Sequence, residues 1–334
     1  MGEFDLIERY FKAPTQTMGI KDVVALGIGD DCALLQPNPG MQLAISSDML
    51  IEGKHFFANV DPFTLGHKSL AVNLSDLAAC GAKPLGFTLA LALPKANEAW
   101  LASFSRGLLG LAAEHNCALM GGDTTQGPLN ICITVFGEVP KQQALLRSGA
   151  KAGDDIYVSG TLGDARLALE MMLGNLKLPN EAFTLAKARL ETPTPRVALG
   201  MALRGIASST IDVSDGLLGD LGHILQQSQL GAVIDTSIAI NLIANKAINK
   251  SANSNIDAKN QLENVLPYVL AGGDDYELAF TAAVSQRRAV QAAALASNTP
   301  VTRIGQIETA LGLRLINAQG QIVPNHFASF DHFK

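Results

Sequence analysis

The period of apolar and polar positions changes along this chain. MQLAISSDML alternates and predicts a strand running into a loop. HKSLAVNLSDLAACGA instead carries Leu70, Leu74 and Leu77 at helical spacing, with Gly81 to end the helix and Pro84 beyond it. LGFTLALAL is an apolar β run, AWLASFSRGLLGLAAEHN reads as an amphipathic helix, and LNICITVFGEV alternates again. Strands separated by helices predict an α/β domain. At RSGAKAGDDIYVSG the pattern resets through a Gly-rich turn into a new strand, which divides the chain into residues 1–148 and 149–334. The second stretch predicts a helix near Ala165 to Leu173, a Pro-rich turn at TPTPR, and strands at TIDVSDG and YELAFTA. NKAINKSANSNIDAKNQ is polar and rich in Asn, and reads as an insertion or mobile surface loop.

Composition narrows the function classes. With 334 residues, 48% of them apolar, the chain can bury a large core. Its formal charge of −6 offers no basic surface for a nucleic-acid backbone. No apolar run approaches the roughly 18 residues needed to span a bilayer. MGEFDLIERYF lacks the basic-then-apolar layout of a secretory signal, so a cytoplasmic location is expected. Cys32, Cys80, Cys117 and Cys132 form neither CxxC pairs nor Cys/His clusters, and read as small buried apolar side chains rather than zinc ligands or disulfides.

The candidate chemistry lies in aspartates set beside Gly or Ser at the ends of apolar segments: Asp30 and Asp31, Asp48, Asp76, Asp123, Asp212 and Asp215, and Asp274 and Asp275. Taken singly, each reads as a helix cap or turn residue ahead of a ligand. Together they exceed what capping requires. Strand ends of an α/β sheet tend to converge at one edge, and carboxylates gathered there need a cation. Hard oxygen donors suit magnesium, and magnesium in turn lets an acidic protein bind a phosphate-rich substrate. There is no GxxxxGK[ST] and no kinase Gly-rich loop with HRD and DFG, so phosphate binding falls on metal, on a Gly-rich turn at Gly121 and Gly122, and on basic residues such as Arg147.

GIGDD, SSDML with GKHF, AVNLSDLAACGA, MGGDTT, LLRSGAKAGD, IDVSDGL and GGDDYEL, in this order and over almost the whole chain, resemble the thiamine-monophosphate kinases. These belong to the superfamily of aminoimidazole ribonucleotide synthetase. The resemblance implies a two-domain α/β (α+β) fold whose N-terminal sheet pairs across a homodimer. It implies that Asp31, Ser46, Ser47, Asp48, Asp76, Asp123, Asp212 and Asp215 coordinate several Mg2+ ions. It further implies that Gly122, Asp123, Arg147 and Ser214 contact ATP, and that His55, Asp274 and Phe327 contact thiamine monophosphate. The chain departs from the pattern at Asp274 and Phe327, where the family often carries Glu and Trp. Phe330 in FASFDHF is an alternative stacking residue.

The implied reaction is transfer of the γ-phosphoryl group of ATP to a phosphate monoester. That acceptor is mostly dianionic at neutral pH, so no general base is expected. The alternatives are another ATP-dependent enzyme of the superfamily and a non-catalytic Mg-nucleotide-binding module. Selenophosphate synthetase and the hydrogenase maturation factor fit less well: no Cys precedes Cys32, and the chain ends in DHFK.

Overall fold

The computed structural model describes residues 2–16, 24–177, 179–244 and 258–327. They fall into two units, Met1–Leu77 with Ala82–Ala144, and Ala78–Gly81 with Leu145–Lys334.

In the first unit, α1 (Glu3–Ile7) passes through a π-helical turn (Glu8–Lys12) into α2 (Ala13–Gln16). The short strands β1 (Val24–Leu26) and β2 (Leu34–Leu35) pair antiparallel on either side of GIGDD. A four-stranded sheet follows, built from β3 (Met41–Ile51), β4 (Lys83–Leu93), β5 (Ala118–Gln126) and β6 (Asn130–Pro140) in the order β3-β6-β4-β5. The β4–β5 pair is parallel, joined through α4 (Glu98–Glu114); the other two pairs are antiparallel.

Between β3 and β4 runs α3 (Pro62–Ala79), whose Leu70, Leu74 and Leu77 are buried as their spacing predicts. Full burial of each such side chain contributes roughly 1.5–3 kcal/mol. A Cβ on Gly66 of α3 would lie 2.1 Å from the Phe104 carbonyl oxygen of α4, and one on Gly107 of α4 would lie 1.9 Å from that of Phe63. The two helices therefore touch backbone to backbone.

The strand predicted at MQLAISSDML does not give way to a loop: its ladder with β6 runs to Ile51, opposite Asn130. The Ser-Ser-Asp interruption of the apolar pattern hides this continuation. Asp48, Asp76 and Asp123 consequently lie within β3, α3 and β5, not at strand-to-loop junctions. Gly121 and Gly122 also belong to β5 instead of a turn, and Gly122 has a φ of +148°. Along β3, alternate side chains face opposite ways. Leu43, Ile45, Met49 and Ile51 are exposed, while Ser46 and Asp48 share a face with the buried Val135 and Ile133 that they pair with on β6.

The second unit is built on a seven-stranded sheet in the order β13-β12-β9-β11-β7-β10-β8. Its strands are β7 (Asp155–Ser159), β8 (Ser209–Val213), β9 (Gly231–Asp235), β10 (Glu277–Ala282), β11 (Val301–Glu308), β12 (Gly312–Ile316) and β13 (Ile322–Val323). All pairs are antiparallel except β9–β12. The helices are α5 (Asp164–Met172), α6 (Asn180–Glu191), α7 (Val197–Ala202), α8 (Leu217–Ser228), α9 (Thr236–Ala239), α10 (Ala258–Ala271) and α11 (Arg287–Ala296). Ile156, Val158, Ile211 and Val213 of the sheet pack with Leu221 and Ile224 of α8 and Val269 and Leu270 of α10. Of the polar insertion read at NKAINKSANSNIDAKNQ, residues 245–257 lie outside the described residues, and its last four begin α10.

None of the four cysteines forms a disulfide, but Cys32 is exposed and Cys80 and Cys132 are half-buried, so the expectation of buried apolar side chains holds for Cys117 alone. Cys32 follows the polar GIGDD segment, which offers no core to enter.

Two local constraints generate predictions. At the head of β7, Asp155 receives a bidentate bond from Arg287 at 2.6 and 2.8 Å and a third from Arg303 at 3.3 Å. The Arg287 hydrogen bonds, opposed by burial and helped by Arg303, hold its carboxyl below the usual range. A carboxyl with a depressed folded-state pKa contributes stability above its unfolded pKa and loses it as pH falls through the folded one. Urea denaturation of Asp155→Asn should show a lower midpoint than wild type at pH 7, with the gap closing below about pH 4. On β5, a Cβ on Gly122 would lie 1.8 Å from the Leu89 carbonyl oxygen of β4. Gly122→Ala should lower stability by roughly 2–4 kcal/mol through backbone strain and overpacking, read by the same titration.

Candidate functional site

In the first unit, the predicted residues gather in two places. One is a cleft of about 710 Å³ whose lining includes Lys12, Asp30, Asp31, Gly122 and Asp123. GIGDD enters it through Gly29 (φ +128°), after which the Asp30 carboxylate accepts the Asp31 N–H at 2.9 Å. Asp31 and Asp123 are both exposed. With no side chain at Gly121 or Gly122, the backbone of β5 is open to an approaching group.

The second place is the helix-covered face of β3. Ser46 Oγ donates to the Asp76 carboxylate from α3, and the Asp48 N–H donates to Asn73 Oδ1 of the same helix at 3.2 Å. Burial, with the neighbouring charge of Asp76, pushes the Asp48 carboxyl up to about 6. Ser47 points the other way, bonding Thr134 Oγ1 at 3.0 Å and the Ile133 carbonyl at 3.2 Å, so its hydroxyl does not join Ser46 and Asp48. His55, in the turn after β3, accepts the Ile51 N–H on Nδ1 at 3.0 Å, which leaves Nε2 to carry the ring proton.

The second unit brings IDVSDG and AGGDDYEL together. Asp212 is buried at the end of β8, and Ser214 and Asp215 form the turn into α8. The Asp220 carboxylate of α8 accepts the N–H groups of Ser214, Asp215 and Gly216 at 3.0, 3.1 and 3.1 Å. Burial nonetheless raises its pKa to about 6 against those three donors. Asp274 and Tyr276 have φ of +65° and +52°, and donate their N–H groups to the carbonyls of Ser214 and Val213 at 2.8 Å each. Asp275 faces inward with no exposed surface, and burial raises its pKa well above the usual value.

Phe327 is half-buried, 4.6 Å from the His326 ring, beside a pocket of about 370 Å³ that Arg166 and Tyr268 also line. Phe330 lies outside the described residues. Arg147 is exposed.

Asp31 thus meets Asp123 in one cleft, Asp48 meets Asp76 and Ser46 in another place, and Asp274 meets Ser214. Among the described residues no group of three or more His, Cys, Asp or Glu stands ready to hold a metal unaided. The oxygen pairs suit an ion that keeps its waters and completes its shell with substrate phosphates, as magnesium does. The sequence reading missed Lys12, Asn73 and Asp220. Lys12 looks like an ordinary helix-surface residue pairing with Glu8 four positions back, and only the fold places it over Gly29. Asp220 follows Asp215 by five residues, a spacing that signals a carboxylate turned back on its own helix N-terminus.

Known proteins extend these observations. Residues 29–139 match the family described as AIR synthase related protein, N-terminal domain. The chain is 44% identical to the thiamine-monophosphate kinase of Escherichia coli (strain K12) over 99% of this chain and 98% of that one. The crystal structure of thiamine-monophosphate kinase from Stenotrophomonas maltophilia K279a superposes with a TM-score of 0.83 at 44% identity, covering 97% of this chain and 98% of its own. AaThiL, solved complexed with AMPPCP and TMP, superposes with a TM-score of 0.74 at 28% identity, covering 99% and 97%. Full-length identity at this level, on the same fold, makes the chain a member of the thiamine-monophosphate kinase family.

Proposed function

We propose that this chain transfers the γ-phosphoryl group of ATP to the phosphate of thiamine monophosphate, making thiamine diphosphate. The observation that carries this reading is the 44% identity to a thiamine-monophosphate kinase along 99% of the chain. AMPPCP is an ATP analogue with a methylene between its β- and γ-phosphorus atoms, so the AaThiL complex supports ATP and thiamine monophosphate as the substrate pair.

Bringing two phosphates together is the main difficulty. Like unit charges ~4 Å apart repel by roughly 4 kcal/mol at an effective dielectric of 20, and phosphates multiply this several-fold. Magnesium, held by Asp31, Ser46, Ser47, Asp48, Asp76, Asp123, Asp212 and Asp215, would supply the offsetting positive charge. The Ser47 hydroxyl, turned to the other face of β3, is the least suited of this set. Gly122, Asp123, Arg147 and Ser214 are assigned to ATP, with Gly122 leaving main chain uncovered where phosphate approaches. His55, Asp274 and Phe327 are assigned to the acceptor: Phe327 stacks on a ring, and Asp274 accepts from an aminopyrimidine directly or through water.

Because the acceptor phosphate has a second pKa near 6, it attacks as a dianion and no residue need remove a proton. Transfer is direct and in line, without a phosphoenzyme. A second copy of the chain would cover Leu43, Ile45, Met49 and Ile51 on β3, giving a homodimer. No helix among the described residues is long and apolar enough to cross a membrane, and four cysteines held as thiols accord with a reducing cytoplasm.

A coupled assay decides the reading. Thiamine monophosphate should support ADP release and the appearance of thiamine diphosphate, and unphosphorylated thiamine should support neither; equal rates with both would exclude it. Asp48→Asn should cut kcat by on the order of 10²–10³ with the oligomeric state in place and no fall in the denaturation midpoint at pH 7, since the amide removes a buried charge that Asp76 opposes. A variant that unfolds would make Asp48 a structural residue instead.

A further inference from the structure

A buried charge cluster beneath the AGGDDYEL loop has no part in the chemistry above. Glu277 opens β10 with no exposed surface. Its carboxylate receives Arg196 on two prongs at 2.6 and 2.5 Å, Nη2 of Arg189 at 2.8 Å, and Ser159 Oγ at 2.6 Å. The same Nη2 of Arg189 donates to the main-chain carbonyl of Asp275 at 3.2 Å. The Asp275 carboxylate in turn accepts the Gly163 N–H, at the start of α5, at 2.9 and 3.0 Å. Residues 275 and 277 are therefore tied down from below, by side chains from α6, β7 and the turn before α7.

Between and beside these ties stand Asp274 and Tyr276, two left-handed residues that are not glycine. Such conformations persist only where the surroundings over-determine them. The Ser214 and Val213 carbonyls hold the two N–H groups from one side, and a Cβ on Gly273 would lie 2.5 Å from the Ser214 carbonyl oxygen, so the loop sits hard against the IDVSDG turn. The cluster holds the other side. Arg189 is the side chain whose guanidinium reaches both the Glu277 carboxylate and the loop main chain.

We propose that Arg189, acting with Glu277 and Arg196, is a positioning residue for Asp274 and so sets recognition of the acceptor; this rests on the reading of Asp274 as a thiamine monophosphate contact. Lysine at 189 keeps the charge, but its ammonium ends one atom short of the Nη2 position from which Arg189 makes both bonds. Arg196 still pairs with Glu277, so Arg189→Lys should fold. The IDVSDG turn has its own anchor in Asp220, so the ATP side should be spared.

The experiment combines steady-state kinetics with amide hydrogen exchange on the full chain. In Arg189→Lys, KM for thiamine monophosphate should rise on the order of 10-fold, KM for ATP should stay within about twofold, and exchange across residues 272–277 should quicken on the order of 10-fold while β8 is unchanged. Unchanged exchange across 272–277, or both KM values rising together with a fallen denaturation midpoint, would overturn the proposal. So would faster exchange with no change in KM. If Arg189→Lys does not fold, Glu277→Gln read the same way decides. Should the unaltered chain make no thiamine diphosphate, the functional reading fails alone, and the exchange comparison still determines whether Arg189 holds the loop.

Discussion

Two carboxylates facing each other across a partly dry helix–sheet contact constrain everything around the first site. Asp48 sits on the face of β3 that α3 covers, beside Asp76, and its carboxyl is pushed up to about 6 by burial and that neighbour. Apolar side chains at these positions would pack with less electrostatic cost, as Ile133, opposite Asp48 on β6, does. Keeping the acids makes the surrounding core responsible for stability. The Leu70, Leu74 and Leu77 row and the α3–α4 backbone contact meet that demand without help from the site.

The second unit handles buried charge differently. Asp155 and Glu277, both without exposed surface, meet guanidinium groups at close range. Asp220 and Asp275 meet main-chain N–H groups instead. Each arrangement fixes a piece of backbone: the head of β7, the turn before α8, or the loop before β10. Buried polar groups here specify where loops lie, a task that a purely apolar core performs poorly because it lacks directional bonds.

Helices and core strands were legible in the sequence because their apolar spacing survives intact: α3, α4, β4, β6, β8 and β10 fall where periodicity puts them. The end of β3 was not, since Ser46, Ser47 and Asp48 break the alternation while the hydrogen-bond ladder continues. Residue types around GIGDD and IDVSDG announced chemistry, but not which acids would meet. Asp31 with Asp123, and Asp48 with Asp76, are long-range pairs that no local spacing reports. Likewise, nothing in TPTPR hints that Arg196 folds back onto Glu277, eighty-one residues on.

The backbone at Asp274 has a bearing on how quickly a ligand can be captured. Aspartate and asparagine tolerate a left-handed φ better than longer side chains do, so the residue matches the shape its neighbours impose. A loop that is already folded asks no ordering entropy of an incoming molecule. On the proposed reading of Asp274 as an acceptor contact, encounter rather than loop rearrangement would set the pace at this position, and the side chain gives up one methylene of reach relative to glutamate in return.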